Sequence, residues 1–237
     1  MRRIIYLIVI MLGTAVFAQT ADAHAIWIES NTTAKKNSTH PVKIVYGDYA
    51  EGVIEPTSKW YSDLGTLEVW VTSPSKKKTK LALTNADDHL ASSFVTDEDG
   101  LYLITTVHAT KDLGGTTKYE FSSVAPVLSG KANADFSAIS ETLSVTVKPK
   151  VFKAGEVVEL QVRNGIDPFA NATVQVMSPQ GWVKTIKTDD KGLISFTPRL
   201  KGDYIIEASE HKKDAGEWNG KQHTHVWKGS TAHLLVQ

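Results

Sequence analysis

Period-two alternation of apolar and polar residues, in short runs rich in Val, Ile, Thr, Tyr and Trp, dominates this chain and constrains it most. AIWIES, PVKIVYG, TLEVWVTS, KLALT, SFVT, LYLITTVH and KYEFSSVAP stand in the first half. TLSVTVK, EVVELQVRN, ATVQVMS, WVKTIKT, LISFTP, DYIIEAS and HVWKGSTAHLLVQ stand in the second. Gly, Asp, Asn, Pro and Lys clusters separate them, and no amphipathic helical period competes. Side chains on an extended chain alternate between two faces, so this pattern predicts half-buried strands at sandwich-like spacing. The expected fold class is all-β, with antiparallel sheets packed as immunoglobulin-like sandwiches.

Two such modules are expected in tandem. Leu128 to Glu141 (LSGKANADFSAISE) is small and polar, and a fresh alternating strand begins after it. A stretch of that kind is ordinary as a linker and unusual inside one compact domain. The reading is therefore a first module over 24–127, a linker over 128–141 and a second module over 142–237. An internal echo supports it: Gly100-Leu-Tyr102 and Gly202-Asp-Tyr204 each open a strand. A His and then an Asp follow in both, as His108/Asp112 and His211/Asp214. In the second module Leu143, Val145 and Val147, then Val158, Leu160 and Val162, then Tyr204, Ile206 and Ala208 each share a core-facing side.

The first 23 residues read as an address. Met1-Arg2-Arg3 is a short cationic start, Ile4 to Phe17 is apolar but shorter than a spanning helix, and small residues follow. Cleavage after Ala21-Asp22-Ala23 would leave His24 as the first mature residue; cuts after Ala18 or Ala25 also fit. Residues 1–23 are thus expected to be a signal peptide, and the mature protein to carry no membrane anchor of its own. An exported chain without cysteine fits a bacterial periplasm better than a disulfide-stapled secreted scaffold.

Charge and composition narrow the chemistry. Equal numbers of basic and acidic residues, 26 of each, leave no electrostatic footprint for nucleic acid or an anionic membrane surface. Zero cysteines exclude thiolate metal sites and cysteine nucleophiles. The chain has no G-x-S-x-G elbow, phosphate loop, G-x-G-x-x-G or H-E-x-x-H, and its acidic loops lack calcium-site spacing. No catalysis is expected. What remains is imidazole: eight histidines.

His223-Thr-His225 is the pair with metal-ligand spacing. On a strand, residues i and i+2 share a face about 6.5 Å apart, which lets two imidazoles meet one ion. Trp227 continues that face, while His233 would lie about 26 Å from His225 on an unbroken strand. His24, as a mature N-terminus, would chelate through its α-amino group and its ring, a donor set favouring Cu²⁺ and Ni²⁺. His40, His89, His108 and His211 stand alone, and a lone His is more often a hydrogen-bonded residue than a ligand. His108 and His211 rank first among them, because each closes a repeated Gly-x-Tyr strand. The only methionine past the leader, Met177, sits in ATVQVMS and reads as packing, as does Trp70.

AHAIWIE at the export junction, the Gly-x-Tyr strands and the C-terminal GEWNGKQHTHVWKGSTAHLLV resemble a bacterial periplasmic family. That family carries a domain of unknown function and is described as nickel- or cobalt-uptake accessory proteins. The resemblance implies tandem immunoglobulin-like sandwiches, a divalent transition metal (nickel, cobalt or copper) and a membrane metal transporter or outer-membrane receptor as partner. Family members commonly begin with two histidines; here Ile26 stands where the second would be. The expected metal residues are His24, His223 and His225, then His108 and His211. A structural module of an exported assembly and a copper monooxygenase braced by His24 are the competing readings.

Overall fold

The computed structural model describes residues 24–131 and 142–237. The expected signal peptide and residues 132–141 of the expected linker lie outside them. Leu128 and Ser129, assigned above to the linker, close a strand instead. Eighteen strands, numbered in chain order, and two short 3₁₀ turns (Thr57–Lys59 and Leu64–Thr66) make up the described residues. No α-helix occurs among these residues, and the chain is an all-β sandwich protein, as the alternation requires.

Three sheets form. The first has the order β1 (Ala25–Glu29), β3 (Thr39–Asp48), β8 (Leu90–Val95), β7 (Thr84–Asn85), with β4 (Val53–Ile54) also on β3. The third joins β11 (Leu143–Val147), β12 (Val158–Asn164) and β13 (Asp167–Pro168), with β16 (Leu193–Phe196) also on β12. Between them lies one nine-stranded sheet. Its second-module half is β15 (Val183–Lys187), β14 (Thr173–Met177), β17 (Gly202–Trp218) and β18 (Lys221–Val236). Its first-module half is β10 (Thr117–Ser129), β9 (Gly100–Ala109), β5 (Val69–Thr72) and β6 (Lys78–Lys80), with β2 (Thr33–Ala34) beside β10.

The two halves meet where β10 and β18 pair in parallel, Thr117 against His225 through Ser123 against Thr231. The sandwiches therefore share a sheet. Each has its own core. Ile26, Ile28, Ile44, Val69, Ile104 and Val127 fill the first. Leu143, Val145, Val158, Leu160, Val174, Ile206 and Leu234 fill the second. A third cluster, Trp27, Val45, Met177 and Ile205 with Tyr49 and Ala50 against it, lies at the joint.

Strand β1 explains that joint. Its alternation sends Ile26 and Ile28 into the first core and Trp27 into the third cluster, so both faces are buried. It pairs with β3 on one side only, and its other edge needs partners. Seam hydroxyls supply them: Ser123 Oγ accepts the Ile28 amide at 3.1 Å, and Thr231 Oγ1 donates to the Ile26 carbonyl at 2.6 Å. On the opposite face Ser122 Oγ donates to the Leu143 carbonyl at 2.8 Å, and Ser230 Oγ accepts the Val145 amide at 3.2 Å. The parallel seam is thus clamped between β1 and β11 by small hydroxyl side chains.

Candidate functional site

One face of the central sheet carries the site. On β17 the side chains of Tyr204, Ile206 and Ala208 enter the second core, so Ile205, Glu207, Ser209 and His211 point the other way. Register places His233, Thr231, Gly229 and Trp227 opposite them on β18, with His225 next along that strand, and Ser123, Phe121, Tyr119 and Thr117 opposite Thr231, Gly229, Trp227 and His225 on β10. Sheet one covers this face as far as the Ser123/Thr231 row. Beyond the start of β1, where His24 precedes Ala25, a cavity of about 440 Å³ opens.

Aromatic rings line one side of it: Tyr46, Tyr61, Tyr119, Phe121 and Trp227. They brace one another, with centroids 5.7 Å apart for Tyr119–Trp227 and 5.2 Å for Phe121–Trp227. Gly229 lets Trp227 lie flat, since a Cβ there would overlap the indole ring. The other side is polar, with Gln175, Glu207, Ser209 and His211. The lining contains no lysine or arginine.

Glu207 is the unusual member. It is 4% exposed, and its Oε2 has no hydrogen-bond partner among the described residues. Burial, with a smaller contribution from the nearby Asp48 carboxylate, pushes its carboxyl up to about 8. It is therefore protonated at neutral pH, and its unpaired oxygen costs roughly 1–3 kcal/mol unless something in the cavity engages it. Tyr46 is likewise pushed up to about 12, by burial and then by Glu55, so its hydroxyl stays neutral.

His24 enters from the rim. Its Nε2 lies 3.3 Å from Glu55 Oε1, and its ring sits 5.3 Å from that of Tyr46. Glu55 is fixed in turn, its amide bonded to the Tyr46 carbonyl at 2.9 Å and its own carbonyl to Trp60 Nε1 at 3.0 Å. His211 faces His24's cavity from the sheet and makes no hydrogen bond or ion pair among the described residues; its ring rests 5.2 Å from that of His225. His211 and His24 thus share one cavity.

The other nominated histidines are engaged elsewhere. His223 is buried over Gly216, where β17 bulges between Lys213 and Gly216, and its Nδ1 lies 2.9 Å from the Asp214 carbonyl. His225 Nδ1 lies 2.9 Å from Thr224 Oγ1, and its ring backs His211. His108 Nε2 lies 3.0 Å from Asp63 Oδ1, and His108 is not among the residues that line the cavity. Burial would raise the Asp63 carboxyl, but hydrogen bonds from His108 and the Lys111 amide hold it below the usual range. Strand β18 runs unbroken to His233, which bonds Asp203 at 2.7 Å. Among the described residues, no three His, Asp or Glu side chains converge tightly enough to hold a metal ion by themselves.

Sequence reasoning missed Glu207 and the aromatic wall. Glu207 sits in DYIIEAS on the face opposite the core, where alternation places solvent. The one available signal was a Glu flanked by apolar residues on both sides.

The arrangement is that of a two-sandwich protein with an aromatic, acid-bearing cavity at the sandwiches' shared seam. By sequence the chain belongs to the family described as "Domain of unknown function (DUF4198)", which matches residues 21–212. No curated protein matches it. Solved structures share only distant likeness. A biofilm-associated protein BSP domain is 10% identical over 89% of this chain and 30% of its own, with a TM-score of 0.25. A marsupial T cell receptor is 9% identical over 90% and 73%, at 0.25. A Ca²⁺-stabilized adhesin with which an Antarctic bacterium binds ice is 13% identical over 90% and 49%, at 0.28. The chain spans less than a third of the first of these and about half of the third.

Proposed function

We propose that this is an exported, non-catalytic binding protein that captures a divalent transition-metal ion, of nickel, cobalt or copper type, and passes it to a membrane uptake system. The seam cavity is the capture site. The observation that carries this reading is that His24 and His211, 187 positions apart, line one cavity with a buried, unpaired carboxyl. Imidazole nitrogens suit these ions, and a cation arriving beside Glu207 favours its ionised form, releasing a proton and supplying the counter-charge it lacks. A chain beginning at His24 would add an amine donor at the rim. The resemblance to nickel- and cobalt-uptake accessory proteins points the same way.

Calorimetric titration of the mature protein with Ni²⁺, Co²⁺, Cu²⁺ and Zn²⁺ tests it. Binding should fall at least tenfold in His211→Ala and in His24→Ala, and stay within threefold in His108→Ala and His223→Ala. Equal binding by all four variants, or none by the native protein in any of the forms described below, defeats the reading.

A further inference from the structure

We infer that the cargo entering this cavity is a metal ion already wrapped in a small organic chelator bearing carboxylate groups, rather than a bare ion. This rests on the metal reading above and names its substrate class. Three observations carry it. A bare ion bound at about 2 Å per nitrogen or oxygen needs several side chains converging on one point, and no three His, Asp or Glu side chains among the described residues do so. His24 and His211 therefore leave most of a coordination sphere to be filled by donors that travel with the ion.

Size is the second. About 440 Å³ far exceeds the room an ion and two imidazoles require, and falls within the range of cavities that hold organic molecules. The third is the lining. Tyr119, Phe121 and Trp227 form an apolar wall that a hydrated ion would leave wet, whereas a chelator's carbon skeleton would cover it. Facing that wall, the Gln175 amide and the Ser209 hydroxyl can donate hydrogen bonds to carboxylate oxygens at the chelator's edge. The cavity thus has an apolar side for the ligand's body, polar groups for its edge and two imidazoles for vacant positions on the metal. Binding here is recognition and release, with no bond made beyond coordination.

The test compares Ni²⁺ alone, Ni²⁺ with two equivalents of L-histidine, Ni²⁺ with citrate, and each chelator alone, on the full mature chain. One chelate should bind at least tenfold tighter than Ni²⁺ alone, and labelled chelator should stay with the protein in one-to-one ratio to nickel after gel filtration. Ser209→Leu, which adds bulk to the cavity while removing no imidazole, should abolish chelate binding; Trp227→Phe provides a milder check on the wall. If Ni²⁺ alone binds as tightly as its chelates and no label is retained, the inference fails and the metal reading stands. If nickel binds in no form, both fail.

Discussion

The two modules open equivalent strands in the same way, and the comparison separates what builds this fold from what the fold is used for. Gly100 and Gly202 adopt φ of +136° and +121°, each packed on a proline from the end of a neighbouring strand, Pro74 and Pro179. Two residues later Tyr102 and Tyr204 are buried, and each hydroxyl accepts an amide from four residues upstream: Glu98 at 2.7 Å, Leu200 at 3.1 Å. These are the tyrosine corners of immunoglobulin-like sandwiches. Further along, the likeness ends. His108 reaches β9's end under the 3₁₀ segment and is held by Asp63, whereas His211 on β17 faces an open cavity and is held by no hydrogen bond among the described residues. The framework repeats; the covering differs.

That contrast can be broken most forcefully at the corners. Tyr102→Ala and Tyr204→Ala should each cost about 3–5 kcal/mol, the range for truncating a large buried aromatic. Because β10 and β18 join both modules in one sheet, each variant should unfold in urea as a single transition. Two separated transitions in Tyr102→Ala would show that the seam does not couple the sandwiches.

A smaller effect should follow from Glu207, which has no counterpart in the first module's strand. Its folded carboxyl lies at about 8, above its unfolded value. The folded state therefore binds the proton more tightly, and stability falls as pH rises from about 4.5 to about 8, levelling above that. The loss is on the order of 5 kcal/mol at most, at 1.36 kcal/mol per unit. Glu207→Gln should flatten this slope, melting near the native temperature at pH 5 and above it at pH 9. Parallel melting curves for the two proteins across that range would contradict the burial argument.

The smallest stability change should separate the paired histidines. His108→Ala removes a partly exposed ion pair and should cost about 0.5–1 kcal/mol without altering metal binding. His211→Ala should leave the melting temperature within a degree or two while weakening metal binding. Reversal of those two outcomes would move the site to the first module.

Much of the framework was legible beforehand because it depends on local chemistry. Alternation marked the strands, and the two Gly-x-Tyr signals marked strand openings that the structure shows to be corners with bonds spanning four residues. His223-Thr-His225 shows the limit of such reasoning. Its spacing is right for a shared ion, yet a bulge opposite gives His223 a backbone carbonyl and leaves His225 stacked on His211. Bulges are not written in a two-residue period.

The chain's own pattern determined that it is all-β, where most strands lie, which faces fill the cores and that it offers imidazoles but no thiolates. Only tertiary structure decided that the sandwiches share a sheet through a parallel seam, because that pairing joins segments more than a hundred residues apart, and the hydroxyl residues that clamp one end of it have no pattern of their own. It also decided what lies over the outward face of β17. Alternation tells which way Glu207 and His211 point, but only the placement of β1 across the seam turns that face from solvent into a cavity.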